Sequence, residues 1–470
     1  MSLWRKAWPA VAALAAPLAA CAPVGPDYVR PAAIVSPQYK EIKGWKLASP
    51  RDDLAKGAWW RLFADPVLDR LEAQVAVSNQ TIKADEANYR TALALIAEAR
   101  AGLAPTVNFD PSLTRVKTGT QLSDQLDAEV SGSWTLDVWG KTRRAVEEES
   151  AAAEASAADL ANATLAEQSA LALAYVQLRQ SDSLADLLAD TVKQYKRTVE
   201  ITQNEYNAGT AAKSDVITAQ ALELSAEAQQ VNVGVARAQS EHAIAVLTGR
   251  APAELTILHG KLALDVPRVP IRVPSELLER RPDIAAAERT MQEQNAAIGV
   301  AFAGYYPSLT LNGAFGYSGD PFIKQIAGAN PIWSYGLSIA QTLFNGGLTD
   351  AQVEAARQTY EASVATYRQT VLTAFQQVED QLAAIPLDSR ELAIQTEAVK
   401  AAEQAVEIAL NEYRAGTQNF TTVVTAEATA LSDEESALST RAARLTATVN
   451  LVVALGGGWS SAELPLSSPY

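Results

Sequence analysis

Nucleophilic, general-base and metal chemistry each need particular side chains within reach of one another, and this chain is sparing with them. A Ser-His-Asp arrangement would have to use His242, on a helical stretch, or His259, in a connecting segment. Each reads as a structural residue. With two histidines and two methionines, Met1 and Met291, a histidine metal site or a methionine relay has almost nothing to build on. One cysteine, Cys21, excludes an internal disulfide and leaves a single thiol for covalent chemistry. A net charge of −15 and a pI near 4.8 argue against a nucleic-acid partner. No metal, no dissociable cofactor and no enzymatic activity are expected, so the function should be passage or binding.

Cys21 closes a segment in which Arg5 and Lys6 precede an alanine-rich apolar run from Ala7 to Ala20, the pattern of a secretory signal. The ending Leu18-Ala-Ala-Cys21 resembles a bacterial lipobox, in which the cysteine is lipidated and becomes the first mature residue. Covalent lipid on Cys21 and loss of residues 1–20 are therefore expected. Ala22 stands where an aspartate would resemble an inner-membrane retention signal, which points outward. Residues 21–60 read as an extended lead over the body, with Trp59-Trp60-Arg-Leu-Phe63 as its buried anchor. No later stretch is apolar for the ~18 residues that a membrane-crossing helix needs.

The elements that position everything else occur twice. Asn204-Glu-Tyr-Asn-Ala-Gly-Thr210 returns as Asn411-Glu-Tyr-Arg-Ala-Gly-Thr417. Val192, Tyr195, Val199, Thr202 and Tyr206 step at coiled-coil spacing, as do Val399, Ala402, Val406, Ala409 and Tyr413. Gly209 and Gly416 then stop their helices. Gly102-Leu-Ala-Pro105 answers Gly304-Tyr-Tyr-Pro307, Val138-Trp-Gly-Lys141 answers Phe344-Asn-Gly-Gly347, and Leu247-Thr-Gly249 answers Leu455-Gly-Gly457. A repeat of roughly 200 residues is too long for a solenoid unit and indicates duplication of a whole module. The chain divides into a signal (1–20), a lipidated lead (21–60), a first repeat (61–249), a connector (250–273), a second repeat (274–457) and a tail (458–470).

In the first module, Asp65-Pro66 should open a helix running to about Ala101, and a second should run from about Lys141 to Asn207, with Ser181-Asp182-Ser183 as its candidate interruption. A third spans Ser214 to Leu247, with Ser214 and Asp215 as capping residues. The connector should hold a small strand or two. In the second module, helices are expected from Pro274-Ser275 to Ala303, from Thr349 to Tyr413 with Pro386 inside and a bend near it, and onward to Leu455. Between helices lie four stretches of period two. Val107, Phe109 and Leu113 lie on one face of the first, and Val130, Trp134, Leu136 and Val138 on one face of the second. Leu309, Leu311, Phe315 and Tyr317 do so in the third, and Trp333, Tyr335, Leu337 and Ile339 in the fourth. Their small, polar opposite faces suit a water-filled lumen, and a tilted bilayer strand needs about 9–11 residues. Four strands cannot close a barrel, and open edges do not survive in lipid, so copies of the chain must combine; twelve strands from three copies can close.

Taken in order, these features resemble the outer-membrane efflux protein family, the TolC-like channels, and within it the lipoprotein branch serving resistance-nodulation-division pumps. The carriers are the lipobox with Val24-Gly-Pro-Asp-Tyr28, Trp59-Trp60 with Asp65-Pro-Val-Leu-Asp69, Trp134-Thr-Leu-Asp-Val-Trp-Gly140, Leu278-Glu-Arg-Arg-Pro-Asp-Ile284, and the paired Tyr-x-x-Gly-Thr turns. The resemblance implies a mixed fold of α-helix and transmembrane β-barrel: a homotrimer whose 12-stranded barrel continues into a long periplasmic α-helical barrel. It implies an exit duct in the outer membrane, a periplasmic adaptor docking at the hairpin tips around Gly209, Thr210, Gly416 and Thr417, and an inner-membrane pump. Family members often carry aspartates just after the second hairpin glycine. Here Gln418, Asn419, Phe420, Thr421 and Thr425 stand nearby, so a strong acidic ring is not expected. The gate candidates are Asp215, Gln418, Thr421 and Thr425, with Glu427 as a further acid. Alanine at Thr421 and Thr425 should raise single-channel conductance. A duct for type I protein secretion is the alternative, and a trimeric adhesive lipoprotein without a lumen is a more distant one.

Overall fold

A computed structural model describes residues 23–33, 38–41, 58–267, 280–319, 330–457 and 459. Cys21, residues 1–20, the expected opening at Pro274-Ser275 and nearly all of the tail lie outside these residues. The first half runs α1 (Pro66–Ser78), α2 (Gln80–Ala101), β1 (Thr106–Thr118), β2 (Gln121–Leu136), α3 (Lys141–Asn207) and α4 (Lys213–Leu247). The second runs α5 (Pro282–Phe302), β3 (Ser308–Gly319), β4 (Asn330–Ala340), α6 (Leu348–Arg414) and α7 (Phe420–Ala454).

Asp65 caps α1 as expected, accepting from the Val67 and Leu68 amides, with Pro66 in the first turn. The expected single helix to Ala101 is two helices. Asn79 is extended, and its side chain accepts from Thr81 and Ile82 to restart the helix as α2. Arg281 holds the matching place in the second half without a side-chain cap: its backbone is extended and Pro282 opens α5. Both breaks fall the same distance before the matching Gly102 and Gly304.

α3 and α6 each run 67 residues, about 100 Å at the helical rise. Ser181-Asp182-Ser183 does not interrupt α3. The Ser181 hydroxyl bonds back to the Gln177 carbonyl, and the other two residues hold the connector. Buried Asp182 accepts from Arg179 (3.0 Å), Arg237 of α4 (2.7 Å) and the Gly260 amide (3.1 Å). Ser183 accepts from the Leu262 amide (2.8 Å), and His259 bridges Asp182 and Asp186. His259 is thus structural, as expected. The connector carries a single turn of 3-10 helix, Pro252–Glu254, and no strand among its described residues; its backbone is satisfied by these helix side chains instead.

The main core lies where α1, the middle of α3, the base of α4, α5, α6 and the end of α7 meet the lead. It holds Leu68, Leu71, Tyr175, Leu178, Ile244, Met291, Tyr367, Leu382 and Leu445. Trp59, Trp60 and Phe63 anchor the lead there. Farther from the sheet each hairpin has only one packed partner. α3 packs on α4, α6 on α7, and α3 on α7, so the order across the hairpins is α4–α3–α7–α6. Nearer the sheet it is α2–α3–α5–α6. The four strands form one antiparallel sheet in the order β1-β2-β3-β4.

Candidate functional site

The hairpin tips are built alike. At the first, the Gly209 and Thr210 amides reach back to the Tyr206 and Glu205 carbonyls; at the second, Gly416 and Thr417 reach Tyr413 and Glu412. Both glycines are left-handed, with φ of +76° and +71°. Each threonine hydroxyl donates to the same carbonyl as its amide, at 3.0 Å in both tips. The Gly-Thr pair is therefore first a helix stop, closing the orphan carbonyls of a long helix, and all four residues are exposed.

Behind the turns the two hairpins touch. Tyr413 and Phe420 pack at 5.3 Å between centroids, within a cluster that includes Ala219, Ala409 and Val423. The Tyr413 phenol is pushed up, first by burial and then by the Glu205 carboxylate, with Asp215 also facing it. Asp215 is not a cap: α4 starts from Ala212 with no side-chain cap, and neither Ser214 nor Asp215 fills that place. Asp215 instead faces Tyr413 at the end of α6, beside Glu205. Asn419, not singled out as a cap, caps α7 by accepting from the Thr422 amide. Gln418, Thr421 and Thr425 are exposed, and Thr421, Thr425 and Thr429 share one face. Farther in, buried Glu427 accepts from Thr198 across the α3–α7 seam at 2.7 Å. Burial pushes its carboxyl up to about 7, and the Thr198 bond partly offsets that.

The sheet presents two different faces. Phe109, Val130, Phe315 and Trp333 fall on one row of paired positions, with Trp134, Leu311 and Leu337 on another of the same face. Most of these side chains are exposed. The other face carries Asn108, Ser131, Ala314 and Ser334 on one row and Ser133, Asn312 and Gly336 on the next. Below the sheet, Trp139 stacks on Tyr306 at 4.8 Å and donates to the Pro307 carbonyl at 2.7 Å. An exposed apolar band with aromatics at its border is the surface of a lipid-facing strand set. Among the described residues no helix is long and apolar enough to cross a membrane, and none clusters with others as a metal site.

A family model described as outer membrane efflux protein matches residues 71–250 and again 273–457. The chain belongs to the outer membrane efflux protein family. Its relatives include a probable efflux pump outer membrane protein, SepC of Pseudomonas putida, 29% identical and covering 96% of each chain. They also include the pyoverdine export outer membrane protein OpmQ of Pseudomonas aeruginosa, 30% identical over 89% of this chain and 91% of that one. Among solved structures, the outer-membrane channel OprN superposes with a TM-score of 0.85 at 28% identity, over 93% of this chain and 99% of that chain. The open MtrE channel of Neisseria gonorrhoeae reaches 0.82 at 25% identity, over 94% and 99%. As an outer membrane efflux protein, the chain places its sheet in the outer membrane.

Proposed function

We propose that three copies of this chain close one duct through the outer membrane, and that an adaptor and an inner-membrane pump feed it from the periplasm. The observation that carries this reading is a match between two unpartnered edges. α4 and α6 are the outer helices of the hairpin layer, and each bears an apolar stripe that its own chain leaves in water. Ile217, Leu224 and Val231 run up α4, and Ile408, Ala401 and Ile394 run up α6. The two sets lie at equal sequence distances from Gly209 and Gly416. Stacked side by side, they form heptad partners at the same levels, large against small in the middle. Val231 is 78% exposed and Ile394 71%, a cost removed when α4 of one copy meets α6 of the next. The sheet edges β1 and β4 close in the same rotation, and three copies give twelve strands.

The described lead supports lipidation of Cys21 at the bilayer level. The Val24 amide donates to Trp139, and Pro23 sits against Gly140, at the junction of sheet and helices. The exposed tips supply the adaptor surface, and the Thr421–Thr425 face lines the mouth. The test is a Val231→Cys, Ile394→Cys double variant, whose only other cysteine is the lipidated Cys21. Oxidation should give a covalent trimer on a non-reducing gel, while each single variant stays monomeric. A double variant that yields no inter-chain product would sink the closure.

A further inference from the structure

The aromatic border below the sheet contains a cavity of about 410 Å³. Its walls are Gly25 and Pro26 of the lead, Ile298 and Phe302 at the end of α5, and Arg357 of α6. Its size lies within the range of small-molecule sites, about 300–1,000 Å³. Phe302 packs edge-on to Tyr305 at 5.4 Å and lies 6.3 Å from Tyr306, which stacks on Trp139. The cavity is therefore continuous with the girdle that marks the water–lipid boundary. The lead segment that sets Pro23 against Gly140 also forms one rim of it.

Arg357 is the unusual member. It is exposed and makes no ion pair or side-chain hydrogen bond among the described residues. Two other arginines of this level are engaged: Arg143 with Asp137, and Arg144 with Asp27 and Glu147. Asp350, the acid nearest the start of α6, takes the Tyr305 hydroxyl. Helical side chains lean toward the helix N-terminus, and α6 begins at the sheet, so Arg357 reaches up toward the bilayer. A guanidinium beside apolar and aromatic walls matches an anionic head joined to a hydrocarbon tail.

We propose that this cavity holds a glycerophospholipid of the periplasm-facing leaflet, its phosphate on Arg357 and the first segment of its acyl chain on Ile298 and Phe302. The lipid on Cys21 does not answer the same need: its acyl and glyceryl groups carry no charge. Pro23, at the described start of the lead, sits against Gly140 at the start of α3, across α5 from Arg357. The proposal rests on the bilayer reading of the sheet. It gives each copy one fixed lipid that ties the lead, α5 and α6 together at the membrane surface.

The experiment is native mass spectrometry of the detergent-solubilised full-length protein, titrated with phosphatidylglycerol and, separately, with diacylglycerol. One phosphatidylglycerol should be retained per chain and diacylglycerol should not. Arg357→Gln should weaken retention about tenfold, the scale of one charged hydrogen-bonded contact, and Arg357→Lys should restore part of it. Phe302→Ala, which leaves the cation in place, should weaken it as well and decides the matter if the Arg357 variants fail to assemble. Equal retention by Arg357→Gln and the parent, or equal retention of diacylglycerol, overturns the proposal. Conductance in planar bilayers reports separately on the bilayer reading: a protein that conducts but retains no lipid refutes the lipid site alone.

Discussion

The least expected residue in this chain is Glu72. It sits in α1 with no exposed surface, and neither carboxyl oxygen has a hydrogen-bond partner. Burial alone pushes its carboxyl up to about 9. Between pH 4.5 and about 9 the folded protein therefore holds a proton that the unfolded chain has released. Folding stability must fall as pH rises through that window, by roughly 1.4 kcal/mol per pH unit at most from this one group. Glu427, pushed up to about 7, adds to the slope over the lower part of the range. Thermal melts at pH 5 and pH 8 should show the parent losing stability and Glu72→Gln losing clearly less. Parallel losses in both would mean that another group carries the slope. Nothing in the sequence marks Glu72, because an acid at that spacing on a helix normally sits in water. The Gly-Thr tips and Tyr413 were legible, since their roles follow from local backbone geometry and a stated period. The part Asp215 plays was not: whether an acid in a first turn caps its own helix or faces a neighbour depends on what packs beside it.

At the scale of elements, most helices and all four strands follow from periodicity, except that β2 stops at Leu136 and leaves Val138 outside it. α3 starts and stops where the pattern changes, and α7 ends one residue short of Leu455. The misses share a cause. The break at Asn79, the restart at Pro282 and the unbroken passage through Ser181-Asp182-Ser183 all involve residues that can cap, turn or pair. Which of these each residue does is settled by a distant partner. Asn79 donates to the Leu247 carbonyl and to Glu167, which fixes it at the junction of α2, α3 and α4. Asp182 carries two arginines and the connector. Asp182→Ala would leave the buried Arg179 guanidinium without its acid, a loss on the order of 3–5 kcal/mol. The expected result is proteolytic cutting within residues 255–262 at protease levels that leave the parent intact. A connector still protected in that variant would show that the apolar contacts of Ile257 and Leu262 hold it unaided.

For the whole molecule, one chain is an open structure. Its sheet has two free edges, its apolar band faces outward, and its hairpin layer ends in wet heptads at both sides. A single copy would leave in water or lipid what three copies bury or pair. The described start of the lead lies next to the strands, with Pro23 against Gly140 and the Val24 amide on the Trp139 carbonyl. Cys21→Ala should abolish incorporation of a radiolabelled fatty acid, and the protein should still reach trimers through its barrel. Persisting label would place the modification elsewhere, and loss of trimers would make the lipid part of assembly.

The sequence alone determined the duplication, the helix stops, the alternation of the strands and the family, because each is written in short-range spacing. Only the tertiary structure decided which acids are buried, which arginine lines the cavity below the sheet, and which stripes end up on an edge. Those depend on contacts between residues hundreds of positions apart. Period and propensity constrain a side chain's direction from its own helix or strand, but not the identity of what it meets.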